Sequence, residues 1–201
     1  MKIIEQSYEI ISLPDQLLET LEKAGRTCYK SEDKITPESA TRFVKMLLDR
    51  GHNAMIEFGD IIVKFITNRG VTHEVVRHRM CSFAQESTRY VRYDGEMEFI
   101  RPVWWNYNDM TSAQEIWLSS ILSAETAYRK LLDRGWRPEQ AREVLPNALK
   151  AEIVVKANIR EWRHIFTLRC AKAAHPQMQH LMTPLLTELK TKLPVVFDDL
   201  G

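Results

Sequence analysis

Apolar positions along this chain switch between two periods, and each switch marks a predicted element. The run DIIVKFITN is β-branched and aromatic without a break, which predicts the strongest strand over Asp60 to Arg69, ended by Gly70. KIIEQSYEII near the start is also strand-like. Leu17, Leu18 and Leu21 share one side of a helix predicted over 13–24. Thr36-Pro37-Glu38 reads as a helix start, with a hydroxyl N-cap and then proline in the first position, where its missing N–H costs nothing. Ala40, Phe43, Val44, Leu47 and Leu48 carry that helix forward, and Gly51 closes it. The helical period resumes from Val71 to Arg79. Ser87 to Arg92 and Glu96 to Ile100 then predict two strands joined near Asp94-Gly95, a hairpin signal. A long amphipathic helix follows over 111–133, through Ile116, Leu118, Ile121, Leu122, Ala124, Tyr128, Leu131 and Leu132. Pro138 opens a short helix ending near Leu145-Pro146, and 152–157 predicts a strand. Helices are expected over 160–170 and 178–193, separated by a break at His175-Pro176. Strand and helix signals do not alternate regularly, so an α+β fold is favoured over a doubly wound sheet. No linker or repeat divides the chain, and a single domain over 1–201 is expected.

Composition narrows the function. The 201 residues are 44% hydrophobic and 27% charged, which is ordinary for a globular protein. Lys and Arg total 28 against 27 Asp and Glu, a net charge of +1, whereas backbone-driven nucleic-acid binding usually needs a large positive excess. Any anion site must be local, and a small-molecule partner is expected, with no nucleic acid. Three scattered cysteines, Cys28, Cys81 and Cys170, argue against a disulfide framework or zinc ribbon and suit a reducing compartment. The first residues carry acidic groups inside their apolar stretch and no cleavage pattern, and no apolar run reaches the ~20 residues that span a bilayer. A soluble, cytoplasmic protein with no membrane partner is expected.

Chemistry concentrates in the arginines. The six histidines include no pair at the i, i+4 spacing of a helical zinc site, so no metal is expected. Neither a P-loop nor a dinucleotide-binding glycine pattern is present, so phosphate would be held by side chains, for which the planar guanidinium fork is suited. Arg77, Arg79, Arg89 and Arg92 fall in one segment, Arg142 lies in AREVLPNAL, and Arg160, Arg163 and Arg169 lie in NIREWRHIFTLR. If 71–79 is helical, Arg77 and Arg79 diverge and serve two groups. If Ser87 to Tyr90 is extended, Ser87 and Arg89 share a face, a pairing suited to phosphate or a base. A solvated strand edge with ordinary ion pairs is the competing reading. Cys81 in this basic segment could be a nucleophile, but the small buried apolar role is preferred for all three cysteines. Trp104-Trp105-Asn106-Tyr107 could stack a planar ligand; packing is preferred.

Taken together, RHRMCSFAQESTRY at 77–90 resembles the signature of the flavin-dependent thymidylate synthases: Arg-His-Arg, seven residues, then Ser. Three further blocks match in order: Arg50-Gly51-His52 with Glu57, AREVLPNAL at 141–149, and NIREWRHIFTLRC at 158–170 followed by AHPQM. The resemblance implies a central, mainly antiparallel sheet flanked by long helices. It also implies reductive methylation of dUMP to dTMP, with 5,10-methylenetetrahydrofolate as one-carbon donor, NADPH as reductant, bound FAD, and a homotetramer with shared sites.

By the same resemblance, Glu74, Arg77, Gln85, Glu86, Ser87, Thr88, Arg89, Arg142 and Arg169 would hold dUMP. Ala54, Arg77, His78, Arg79, Gln85, Asn158, Ile159, Arg160 and His164 would hold FAD. Arg169 is the implied activator of the base at N3. A guanidinium stays protonated, with a pKa above ~12, so it would act by stabilising the N3 anion. Ser87, with no evident base beside it, would position dUMP. His52, Tyr90 and the segment near Trp104 are candidates for the folate. The chain departs from the family pattern at Ala84 and Gln85, where Asn-Glu is usual, at Ala54, where Ser or Thr often stands, and at His164, an Asn in some members. Two other readings stay open: uracil methylation in RNA, which the balanced charge disfavours, and a non-catalytic nucleotide-binding module.

Overall fold

The computed structural model describes residues 1–105 and 110–201, so Asn106 and Tyr107 of the aromatic cluster lie outside the described residues. In chain order the elements are β1 (Lys2–Ile4), β2 (Ser7–Ser12), α1 (Leu17–Thr27), α2 (Ser39–Asp49), β3 (Asp60–Asn68), α3 (Arg69–Val75) and β4 (Ser82–Gln85). They continue with β5 (Glu98–Ile100), α4 (Ser112–Asp133), α5 (Pro138–Ala141), β6 (Lys150–Asn158), α6 (Ile159–Arg169), α7 (Pro176–Lys192) and α8 (Pro194–Phe197). Four strands form a sheet in the order β2-β3-β6-β4, and β1 pairs with β5 in parallel, Lys2 opposite Glu98 and Ile4 opposite Ile100. The strongest predicted strand is thus β3, at the centre of the sheet. Two bonds at its ends fix its direction against β6: Arg69 N–H donates to Leu149 O at 3.2 Å, and Ile159 N–H donates to Gly59 O at 2.9 Å. Low numbers on one strand meet high numbers on the other, so the pair is antiparallel. The α+β class is as expected.

Several local expectations are corrected. The first strand signal splits into β1 and β2. Helix α2 starts at Ser39 rather than behind a Thr36 cap, and the Ser39 hydroxyl donates to buried Glu22 at 2.7 Å. Gly70 does not end β3. Asn68 does, turning the chain into α3 by accepting the Val71 N–H at 2.8 Å. No Asp94-Gly95 hairpin forms, because β5 pairs with β1 and the segment from Glu86 onward runs as loop and turn after the strand β4. The expected separation of two helices before His175-Pro176 is present, with Pro176 opening α7 in its first turn, and α8 had no separate signal.

Packing divides the chain into two compact units. The first comprises Met1–Ser7, Phe65–Arg77 and Ala84–Ile153. Its core gathers Met97, Phe99, Ile121, Tyr128, Leu132 and Leu149 around α4, which starts at a Thr111–Gln114 capping box. The second comprises Tyr8–Lys64, His78–Phe83 and Val154–Gly201. There α1 lies against α2 so closely that a Cβ on Gly25 would fall 2.5 Å from the Phe43 ring. Glu22, 1% exposed, is satisfied by Arg26 at 2.9 Å and by Ser39. Trp162 stacks on Phe166, which meets Phe197 edge-on, and the indole N–H of Trp162 donates to Ile61 O at 3.1 Å.

Candidate active site

The first unit contains a cavity of about 260 Å³ lined by Arg69, His73, Val76, Gln85, Glu86, Ser87, Thr88 and Arg142. Helix α3 supplies Arg69 and His73, its C-cap Val76 continues the i, i+4, i+7 spacing of one helix face, and Gln85 at the end of β4 with Glu86, Ser87 and Thr88 after it supply the next four. Sequence reasoning found Gln85 to Thr88 and Arg142 but missed the three from α3, although their helical spacing was a usable signal. Gln85 donates from its amide to Thr72 Oγ1 at 3.1 Å, and Thr72 donates in turn to Arg69 O. A neutral amide fits that hydroxyl, which gives the Gln85 departure a local reason. Thr88 is buried and lies 3.4 Å from Arg142 Nη1. Ser87 and Arg89 do not share a strand face. Ser87 Oγ instead accepts the Arg89 backbone N–H at 3.3 Å in a turn, and Arg89 is exposed.

Among the lining residues Glu86 is the carboxylate. The Tyr93 hydroxyl donates to its Oε1 at 2.7 Å, and Lys150 Nζ lies 3.6 Å from Oε2, which has no hydrogen-bond donor. Burial and then the Glu86 carboxylate push the Tyr93 hydroxyl far above the usual phenol range. Tyr93 and Lys150 had no motif to announce them. Arg77, exposed in the turn after α3, and half-buried Glu74 also belong to the first unit.

In the second unit, His78 is 6% exposed. Its Nε2 accepts from Arg169 Nε at 3.0 Å, its Nδ1 lies 3.4 Å from Glu161 Oε1, and the His164 ring meets it edge-on at 5.8 Å. Burial first, then the charges of Arg169 and His164, lower His78 from 6.5 to about 4, so it is neutral near pH 7. Arg79 is exposed. Exposed Arg160 bonds Glu57 at 2.6 Å, and exposed Ala54 precedes the 3-10 turn Met55–Phe58, which packs on α6. Asn158 spends its side-chain oxygen capping α6 through the Glu161 N–H at 2.9 Å, and Ile159 is fully buried, so its side chain packs the core. Cys81 is half-buried, with its thiol pushed up to about 12 by burial and then by Glu161. Cys170 is raised by burial, and Cys28 is exposed. The structural reading of Cys81 agrees with that environment.

Among the folate candidates, His52, Tyr90 and Trp104 are exposed, whereas Trp105 is buried against Trp117. Among the described residues, no three His, Cys, Asp or Glu side chains gather as a metal-ligand set, and no helix is long and apolar enough to cross a membrane.

Residues 9–195 match the family described as "Thymidylate synthase complementing protein". The chain is 32% identical over 185 residues to the flavin-dependent thymidylate synthase of Geobacter sulfurreducens, covering 89% of this chain and 79% of that one. It is 34% identical over 197 residues to the one from Corynebacterium diphtheriae, covering 89% and 77%. The chain belongs to the flavin-dependent thymidylate synthase family. A solved UMP/dUMP methylase, PolB from Streptomyces cacaoi bound with 5-Br dUMP, shares the fold with a TM-score of 0.81 at 21% identity, covering 98% of this chain and 96% of that one. The flavin-dependent thymidylate synthase fold thus accounts for the mixed helix-and-sheet architecture.

Proposed function

We propose that the protein converts dUMP to dTMP, using 5,10-methylenetetrahydrofolate as carbon donor and NADPH as reductant, with FAD bound. Membership of the family supports the reaction. The observation that carries the assignment to particular residues is the cavity in the first unit, where Gln85, Glu86, Ser87, Thr88 and Arg142 converge with Arg69. Guanidiniums and hydroxyls at one small cavity suit a nucleotide monophosphate, because a guanidinium bonds two phosphate oxygens at once. Glu74, Arg77 and Arg89 complete the proposed dUMP set. Ser87, already accepting a backbone N–H and with no base bonded to it among the described residues, positions the nucleotide.

The residues assigned to FAD fit a flavin dinucleotide in charge. Arg77 in the first unit and Arg79 in the second are each exposed guanidiniums with no acidic partner among the described residues, and a guanidinium of that kind suits a phosphate. Arg160, His164 and Asn158 lie on or at the start of α6, and Ala54 and the backbone of Ile159 complete the set; His78 and Gln85 would act from their bonded positions. The flavin would supply hydride drawn from NADPH. Arg169 acts on the base: its Nε donates to His78, and its guanidinium charge would stabilise the uracil as N3 ionises, leaving C5 more electron-rich. A homotetramer is part of the proposal, supported by the exposed apolar side chains Ile116 and Leu122 on α4.

The test is product formation by mass spectrometry from dUMP, methylenetetrahydrofolate, NADPH and FAD, with Arg169→Ala alongside. Wild type making dTMP, and the variant losing about 100-fold or more in kcat, is the expected result. A flavin-loaded wild type that makes none sinks the proposal.

A further inference from the structure

Arg169 sits at the end of a chain of contacts whose other end has no assigned role. A guanidinium is never deprotonated in a protein, so its Nε always donates. The 3.0 Å bond from Arg169 Nε to His78 Nε2 therefore requires a lone pair on Nε2. A neutral imidazole with its lone pair on Nε2 carries its proton on Nδ1. That Nδ1 faces Glu161 Oε1 at 3.4 Å, with the two side chains only 5% and 12% exposed. The contact is long for a hydrogen bond, as pre-reaction contacts in unliganded sites commonly are. We infer that Glu161 is a positioning residue: by accepting the Nδ1 proton of His78 it fixes the imidazole tautomer and plane, and His78 in turn fixes the Arg169 guanidinium for its work on the uracil ring.

Local structure supplies a rigid base for this arrangement. Glu161 lies in the first turn of α6, two residues after Ile159, with its own backbone N–H held by the Asn158 side chain at 2.9 Å. Arg169 closes the same helix. His78 thus braces one end of α6 against the other through side chains. The low proton affinity of His78 supports the neutral form that the arrangement needs. The same logic orients metal-bound histidines, whose outer carboxylate partners are worth about 10- to 100-fold in function.

The inference rests on the proposed function for its catalytic consequence, but its geometry can be read without turnover. Side-chain ¹⁵N NMR of the wild-type protein reports the His78 tautomer directly, and the expected form is Nδ1–H with Nε2 unprotonated. In Glu161→Ala the Nδ1–H form loses its acceptor, so the Nε2–H form should gain population at the expense of the Arg169 bond, and kcat and kcat/KM for dTMP formation should fall together by about 10- to 100-fold. Glu161→Gln, whose amide oxygen still accepts from Nδ1–H, should keep the tautomer and recover most of the rate. An Nε2–H tautomer in wild type overturns the inference whatever the variants do, and so does wild-type kcat in Glu161→Ala. If wild type makes no dTMP, the proposed function fails alone. The tautomer, and its loss in Glu161→Ala but not in Glu161→Gln, then still decides whether Glu161 positions His78 and Arg169.

Discussion

Acid works against the fold at His78. Buried beside Arg169 and His164, it titrates at about 4 in the folded chain, below the ordinary 6.5 that it recovers on unfolding. Between those two values the unfolded state binds the extra proton and the folded state does not, so the His78 contribution to stability falls as pH drops from about 6.5 to 4 and is flat below. Urea midpoints measured across that window should show the slope in wild type and lose most of it in His78→Gln. A second prediction concerns Glu86. Tyr93→Phe removes the donor to one buried carboxylate oxygen while the other already lacks one, and should cost about 1–3 kcal/mol in urea unfolding. An unchanged midpoint would mean that Lys150 alone satisfies the carboxylate. These residues mark the limit of sequence reading. Arg169, His78 and Ser87 announced themselves through a spaced motif, whereas Glu161, Tyr93 and Lys150 act through neighbours brought close by folding. A lone Glu, Tyr or Lys has many harmless uses, so nothing in its local sequence sets it apart.

The same logic governs whole elements. Strand β3 ends on Asn68 and strand β6 on Asn158, and each asparagine caps the helix that follows. Both of those helices carry site residues, so one short device twice converts a buried strand into a helix start with a fixed direction. Asn68→Ala should cost about 1 kcal/mol, read as a shift in Tm. Gly25→Ala should cost roughly 1–3 kcal/mol, because the added methyl meets the Phe43 ring, while Gly95→Ala, with open space around it, should be close to neutral. Long elements were legible because many residues repeat one period; β3, β6, α4 and α6 fell close to their predicted positions. Short ones were not. Strand β5 spans three residues, and its partner β1 lies almost a hundred positions away, so the Asp94-Gly95 turn signal pointed to a pairing that a remote strand takes instead.

On the scale of the molecule, the chain enters and leaves its two packing units several times, and β2, β3, β4 and β6 each hold residues of both. We propose that the chain nevertheless unfolds as a single domain. Trp162 lies in the second unit and Trp105 and Trp117 in the first, so variants retaining one set of tryptophans report each unit separately. Coincident denaturation midpoints are expected, and two separated transitions would contradict the single-domain reading. The uneven exposure of the thiols has a practical consequence of another kind. Cys81 and Cys170 are half-buried with depressed acidity, while Cys28 is open to solvent at the end of α1. A maleimide dye should therefore attach at one position per chain in the unmodified protein, giving a ready-made fluorescent handle for counting subunits in solution.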